Sequence, residues 1–183
     1  MNYPGRLALL LSVLMVPAAA QPDAATRLKA DLLSANSATV VLGQWCAAAH
    51  LADPPTIKAL RDPIEVPATA ETRALLKVGA AEPVRYRRVK LMCGTYVLSQ
   101  ADNWYVPARL TPQMNALLDG GDTPFGTAVK ALNFHRATLD AAAAHDTHTV
   151  PKTILRVRAL LLTPDETPFS LVVENYTADL AAP

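Results

Sequence analysis

The sequence has few cysteines, no excess of basic residues and no long apolar run after residue 20, and several classes of small protein depend on one of these features. It holds only two cysteines in 183 residues and no CxxC pair, so neither a redox motif nor a zinc knuckle is indicated. Lysine and arginine number 17 against 16 aspartate and glutamate, which leaves no basic surface for nucleic acid and no polybasic patch for a membrane. No long apolar run follows residue 20. With 51% hydrophobic and 18% charged residues, the sequence is typical of a globular domain.

The first twenty residues have the three parts of a secretory signal. Arg6 supplies a short positive start, residues 7–16 form an apolar run, and residues 18–20 read as a small-residue cleavage site. The run of about ten residues is too short to cross a bilayer, which takes roughly 20. We therefore predict a signal peptide over residues 1–20 and one mature domain over residues 21–183, periplasmic or secreted. A retained membrane anchor is the alternative.

The hydrophobic pattern changes from helical to extended along the chain. Apolar residues recur at three- and four-residue steps in the first part and alternate with polar residues in the second. The pattern predicts helices over 24–34, 37–50, 70–78, 112–118 and 123–132, strands over 57–61, 85–99, 104–110, 134–139, 154–162 and 169–177, a turn at 101–103, and a connection over 140–150. Because antiparallel hairpins follow the helices, the sequence indicates an α+β fold with a single antiparallel β-sheet and helices packed against it.

The two cysteines, Cys46 and Cys93, both lie in apolar segments. In an oxidising compartment they could form a disulfide, and otherwise they would be two buried thiols. Their spacing in the sequence does not decide between these alternatives.

Two charged residues stand in strands that are otherwise apolar on one face. Arg87 shares its face with Val89 and Leu91, and Glu174 follows the apolar residues 171–173. A charge in such a place is costly unless it is paired or holds a ligand. Either these residues mark a ligand site, or they lie at exposed strand ends or pair with each other.

Five short motifs follow one another along the chain. They are Leu32–Thr39 after the first helix, Arg87–Cys93 in a strand, Ala108–Pro112 after the returning strand, Thr123–Gly126 at a helix start, and Pro168 with Glu174 in the last hairpin. In this order they resemble motifs of the chorismate lyase (chorismate–pyruvate lyase) family, over most of residues 30–177. The resemblance implies a chorismate lyase-like fold.

The same resemblance implies an activity and a set of site residues. The family eliminates pyruvate from chorismate to give 4-hydroxybenzoate in a buried pocket, and no metal or cofactor is expected. Catalytic roles are implied for Arg87 and Glu174, since an arginine fork binds a carboxylate and a carboxyl group can assist proton transfer. The implied substrate-binding residues are Ala38, Arg87, Arg88, Arg109, Phe125 and Glu174. Arg88 fits the family's spacing to Cys93, whereas Arg87 fits the alternation of the strand and is preferred.

The predicted location conflicts with the implied substrate, because chorismate is made in the cytoplasm. The second hypothesis is therefore a non-catalytic exported domain that binds a small aromatic acid. Under either hypothesis the partner is a small carboxylated aromatic or cyclohexadiene molecule, and we expect a monomer with neither a nucleic-acid partner nor membrane contact after signal cleavage. A structural envelope protein is the third hypothesis, and it predicts that Arg87 and Glu174 meet in no cavity.

Overall fold

The computed structural model describes residues 22–146 and 152–181. The helices are α1 (Ala24–Ser34), α2 (Ala38–Ala48), α3 (Ala70–Leu75), α4 (Pro112–Gly120) and α5 (Phe125–Ala128). The strands are β1 (Ile57–Asp62), β2 (Arg85–Cys93), β3 (Tyr96–Tyr105), β4 (His135–Asp146), β5 (Thr153–Leu162) and β6 (Pro168–Thr177). Short 3-10 turns lie at Pro107–Arg109, Lys130–Leu132 and Ala178–Ala181. In this described part of the chain, no helix has the length and apolar character needed to span a bilayer.

The six strands form one antiparallel sheet in the order β1-β2-β3-β6-β5-β4. Strands β2 and β3 form one hairpin, and β5 and β6 form another. The two hairpins meet where β3 pairs with β6, so residues from distant parts of the sequence share the centre of the sheet. The predicted α+β fold, a single antiparallel sheet with helices packed against it, is confirmed.

The turn of the first hairpin lies earlier than the sequence pattern predicts. Cys93 pairs directly with Tyr96, and Gly94 between them has a φ of +56°. Glycine adopts this left-handed backbone conformation without steric cost, so it favours the tight turn. The predicted turn at residues 101–103 is wrong, because these residues lie inside β3.

Two further element boundaries differ from the prediction. Strand β4 continues to Asp146, where residues 140–150 were expected to form a connection, because its alanine-rich half pairs with β5. Pairing in a sheet outweighs the weak intrinsic preference of alanine for strands. Helix α5 begins at Phe125 with Pro124 outside it, and it ends at Ala128 before a 3-10 turn, so the predicted helix over 123–132 is too long. Residues 147–150 lie outside the described residues.

Helices α1 and α2 cover one face of the sheet. Their buried residues, among them Leu28 and Leu42, pack against Val89 and Leu91 of β2 in one core cluster. The Asp23 carboxylate accepts a hydrogen bond from the Thr26 backbone N–H at 2.7 Å and caps α1. This helical layer closes one side of the sheet over the residues discussed below.

A disulfide ties this helical layer to the sheet. It joins Cys46 of α2 to Cys93 at the end of β2, with 6.1 Å between the two Cα atoms. Both residues are fully buried. The bond therefore fixes α2 directly to the strand that carries Arg87.

The other face of the sheet is covered at one end only. Leu76, just after α3, packs there with Val106 and Leu171. Towards the other end this face carries polar residues, including Arg88 and Lys90. The enclosed core, and with it the candidate site, therefore lies on the face under α1 and α2.

Candidate functional site

A small cavity lies against the sheet face that α1 and α2 cover. Its lining comprises Asn36, Ser37, Ala38, Thr39, Val89, Leu91, Ala101, Asn103, Phe125, Gly126, Phe134, Arg136, Leu161, Val172 and Glu174. Its volume is about 30 Å³, which is room for water but not for a six-membered ring. The floor is made by strands of the sheet, and the cover by the start of α2 and the start of α5.

The two covering segments touch each other closely at Gly126. A Cβ added at this position would lie 2.8 Å from Ser37 Oγ and 3.0 Å from Thr39 Oγ1. A side chain at this position would require the hydroxyl groups of Ser37 and Thr39 to move. The glycine of the Thr123–Gly126 motif thus allows the two segments to close over the cavity.

A buried ion pair lies on the cavity wall between β4 and β6. The Arg136 guanidinium donates from Nη1 to Glu174 Oε1 at 3.3 Å and from Nη2 to Glu174 Oε2. The Tyr176 hydroxyl also donates to Glu174 Oε2, at 2.8 Å. The side chains of Arg136 and Glu174 are 3% and 7% exposed, so water screens their attraction very little.

This environment fixes the protonation states of two of the three groups. Burial opposes the charge of Arg136, but the carboxylate of Glu174 outweighs it and raises the pKa of the guanidinium. Burial, and then the negative charge of Glu174, raise the pKa of Tyr176 well above its ordinary value. The arginine is therefore charged and the tyrosine is a neutral hydroxyl that donates to the carboxylate.

Arg87 is as deeply buried but has no carboxylate partner. It is 2% exposed, and its Nη2 donates to the backbone oxygens of Gly121 at 3.2 Å and Thr123 at 3.0 Å. Its Nε and Nη1 are buried without a hydrogen-bond partner among the described residues. Burial, and then the nearby Arg61, lower the pKa of this guanidinium. Unsatisfied buried donors of this kind are costly and unusual in folded proteins.

Arg87 stands directly behind one end of the cavity. It pairs across the hairpin with Asn103, which lines the cavity and whose Nδ2 donates to the Arg87 carbonyl oxygen at 3.4 Å. Thr123, which accepts from the guanidinium, lies two residues before the lining residue Phe125.

The other two arginines expected at the site lie elsewhere. Arg88 is on the opposite face of the sheet, where its Nε donates to Asp102 Oδ1 at 2.6 Å. Arg109 donates from Nη1 to the backbone oxygens of Leu76, at 2.6 Å, and Pro168. Neither side chain lines the cavity.

The structure brings together three of the expected residues and adds one that sequence reasoning missed. Ala38, Phe125 and Glu174 all line the cavity, while Arg87 adjoins it. The missed residue is Arg136. Its signal was present in the sequence, because Arg136 shares a face with Phe134 in the strand predicted over residues 134–139, as Arg87 does with Val89. In the structure β4 begins just after Phe134, at His135. In the described residues, no cluster of histidine, cysteine, aspartate or glutamate could hold a metal ion.

The fold and the cavity together define the class of protein. The chain is an α+β domain whose fold is that of the C-terminal effector domains of GntR-family regulators, which share a chorismate lyase-like fold. No protein-family model matches the chain. The chain is 43% identical over 171 residues to the "Uncharacterized protein y4mC" of Sinorhizobium fredii (strain NBRC 101917 / NGR234), over 82% of this chain and 72% of the relative. It belongs to the family of that protein.

The similar solved structures support the fold at low sequence identity. PhnF of Mycobacterium smegmatis has a TM-score of 0.56 at 12% identity, over 80% of this chain and 66% of that chain. The effector domain of the same protein has a TM-score of 0.52 at 11% identity, over 74% of this chain and 90% of that domain. The chain thus spans less than two thirds of full-length PhnF, and only 58% of YydK of Bacillus subtilis, described as a possible transcriptional regulator.

These findings correct several predictions made from the sequence. The assignment to the chorismate lyases is wrong, because the structural neighbours are regulator effector domains. The predicted elimination of pyruvate from chorismate is wrong for the same reason. The periplasmic or secreted location is wrong on the same finding, and so is the exported part of the second hypothesis. The predicted signal over residues 1–20 lies outside the described residues, and the comparisons give it no support.

Proposed function

We propose that the chain is a non-catalytic domain that binds a small carboxylated aromatic or cyclohexadiene molecule in the cavity. The observation that carries the proposal is Arg87, a buried guanidinium with two unpartnered nitrogens, Nε and Nη1, beside the cavity. A ligand carboxylate could accept a hydrogen bond from one of these nitrogens and neutralise the charge, which the described residues do not. The effector-domain fold agrees with a small-molecule partner.

The rest of the cavity suits a ring. Phe125 and Ala38 form opposite parts of the cover, and Val89, Leu91 and Val172 form an apolar floor. Such walls bury a ring favourably, while a few polar groups fix its orientation. Because the cavity is smaller than a ring, entry requires the starts of α2 and α5 to separate at the contact around Gly126. A ligand-driven movement of this kind is what an effector domain can transmit.

Binding without catalysis agrees with the contacts of Glu174. Its oxygens accept hydrogen bonds from the Arg136 guanidinium and the Tyr176 hydroxyl. Glu174, to which the lyase hypothesis gave a role in proton transfer, is thus held in an ion pair with Arg136. We retain Glu174 as part of the binding site and assign it no catalytic step.

The test compares two ligands of nearly the same shape, of which one carries a carboxylate and the other an uncharged amide. Titration calorimetry on the full chain should give a benzoate affinity at least about tenfold above that of benzamide, since a charged hydrogen-bond pair is worth about 1.5–3 kcal/mol. Arg87→Gln should remove this difference. The matched control is Arg85→Gln on the same strand, where the arginine is half exposed and pairs with Asp119. Equal binding of benzoate and benzamide, or an unchanged preference in Arg87→Gln, contradicts the proposal.

A further inference from the structure

Helix α2 and strand β2 each present a row of buried residues on the covered side of the sheet. Three residues recur at four-residue steps on the buried side of the helix: Ala38, Leu42 and Cys46. Three residues alternate along the covered face of the strand: Val89, Leu91 and Cys93. All six belong to one core cluster, so the helix row lies against the strand row.

The two rows enclose the cavity at one end and are bonded covalently at the other. Ala38 belongs to the cover of the cavity, and Val89 and Leu91 belong to its floor. At the far end of both rows the disulfide joins Cys46 to Cys93. Because an α-helix rises 1.5 Å per residue, Cys46 lies about 12 Å along α2 from Ala38. The bond is therefore placed where a hinge between the cover and the floor would be.

The two ends of α2 are held in different ways. At the bonded end, the turn at Gly94 packs tightly on the segment after α2, since a Cβ added at Gly94 would lie 3.1 Å from Ala52 Cβ. At the cavity end, the contact around Gly126 that holds the start of α2 against α5 is non-covalent. A ligand can displace this second contact without breaking a bond, whereas the first end stays beside β2 for as long as the disulfide is intact.

We propose that the Cys46–Cys93 disulfide is a redox-sensitive hinge of the cavity cover, and that its reduction raises the affinity of the cavity for a ligand. The inference rests on the proposed function, in which a ring enters only when the start of α2 moves away from α5. While the bond holds Cys46 beside Cys93, α2 opens by tilting about that end. After reduction α2 can also shift as a whole, so more of the arrangements that admit a ring are populated. A larger population of such arrangements raises the apparent affinity.

The chemical step is a two-electron thiol–disulfide exchange with a dithiol reductant such as dithiothreitol. A thiolate of the reductant attacks one sulfur of the disulfide, and the S–S bond breaks as a mixed disulfide forms. The second thiol of the reductant then displaces the protein sulfur, and the reductant leaves as a cyclic disulfide. Cys46 and Cys93 each gain one electron and one proton. Because both cysteines are fully buried, the reductant reaches them when this end of α2 opens.

The first experiment compares the oxidised and the reduced full chain. Calorimetry measures benzoate binding to both forms, and circular dichroism follows the fold. The reduced chain should bind benzoate at least about fivefold more tightly, which is the lower end of the usual coupling between two sites. The matched control is the double variant with Cys46→Ala and Cys93→Ala, which should bind like the reduced chain and not respond to dithiothreitol. A reduced chain that unfolds, or that binds benzoate no more tightly than the oxidised chain, overturns the inference.

The second experiment measures the same coupling from the other side and needs no variant. By linkage, benzoate must favour reduction by the factor by which reduction favours benzoate. The full chain is equilibrated with mixtures of reduced and oxidised dithiothreitol, with and without saturating benzoate. Free thiols are then alkylated and counted by mass spectrometry. Benzoate should raise the equilibrium constant for reduction at least about fivefold, and an unchanged constant contradicts the inference.

A third measurement, made without ligand, separates this inference from the proposed function. Amide hydrogen exchange at residues 41–44, where the hydrogen bonds of α2 begin with Val41 N–H to the Ser37 oxygen, should be faster in the reduced chain. The increase should match the gain in affinity, since both report the population of displaced α2. If no carboxylated ring binds either form, the proposed function fails, and faster exchange still supports the hinge. If benzoate binds both forms equally and exchange is unchanged, only the hinge fails.

Discussion

Two arginines with buried side chains lie on the same face of one sheet, and their hydrogen-bond partners differ. Arg136 on β4 forms an ion pair with Glu174. The carboxylate of Glu174 also accepts a hydrogen bond from the Tyr176 hydroxyl. Arg87 on β2 receives only two backbone oxygens and keeps two donors without partners among the described residues. Burial is thus common to both arginines, and they differ in their hydrogen-bond partners.

The difference follows from the cost of burying charge. A buried pair loses its hydration but recovers part of that loss through mutual attraction and hydrogen bonds. A lone buried cation recovers much less, and a fold keeps it only where something else, such as a bound anion, completes it. The charge of Arg136 is thus compensated within the chain, whereas the proposed ligand would compensate that of Arg87.

The largest expected effect comes from breaking the completed pair. Arg136→Met leaves the Glu174 carboxylate buried without its counter-ion and should lower the free energy of unfolding by about 3–5 kcal/mol. The double variant with Arg136→Met and Glu174→Leu removes both charges and should recover most of this loss. Urea unfolding at pH 7 measures both. If the double variant is as unstable as the single one, lost packing rather than unpaired charge is the cause.

The next effect concerns the tyrosine of the same network. Because the folded state raises the pKa of Tyr176, the proton is held more tightly in the folded chain than in the unfolded one, where the pKa is about 10. The resulting stability is complete below pH 10 and is lost as the pH rises towards the folded pKa. The stability difference between the unaltered chain and Tyr176→Phe should shrink by about 1.4 kcal/mol per pH unit above pH 10.

The measurement is urea unfolding of both proteins between pH 8 and pH 11. Tyr86 and Tyr105 also have raised pKa values, for which burial is the main cause, but they are present in both proteins and cancel in the difference. A difference that stays constant with pH would show that the Tyr176 hydroxyl is not held neutral by the network.

The sequence alone predicted the fold and the position of Arg87, but it did not predict the role of Arg136. Alternation in β2 placed Arg87 on the core face, and the two hairpins were enough to indicate a single antiparallel sheet. The pairing of Arg136 with Glu174 could not be predicted from the sequence, because the two residues are 38 positions apart and meet only when the full strand order is known. The length of β4 was missed for a related reason: pairing with β5, not residue preference, makes its alanines extended.

A smaller effect is expected from removing the unpaired arginine. Arg87→Met loses two hydrogen bonds to backbone oxygens but also removes a buried, uncompensated charge, so we expect a loss of no more than about 1 kcal/mol. Benzoate at 100 times its dissociation constant should stabilise the unaltered chain by about 2.7 kcal/mol and leave Arg87→Met unaffected. Urea unfolding with and without benzoate measures both effects. A loss as large as that in Arg136→Met would mean that Arg87 is structural.

The smallest effect is expected where a similar pair is exposed. Arg85 donates from Nη1 to both carboxylate oxygens of Asp119, at 3.0 and 2.9 Å, but the two side chains are 48% and 54% exposed. Exposed pairs contribute about 0.2–1 kcal/mol, so Asp119→Asn should change the free energy of unfolding by less than about 1 kcal/mol. One molar salt should abolish this small effect, because it screens exposed charges, while the Arg136→Met effect should persist. Urea unfolding at low and high salt compares the effects of Asp119→Asn and Arg136→Met. Equal salt sensitivity of the two variants would mean that water reaches the Arg136–Glu174 pair. In that case the contrast between the two buried arginines would lose its basis, since it depends on water being excluded from that pair.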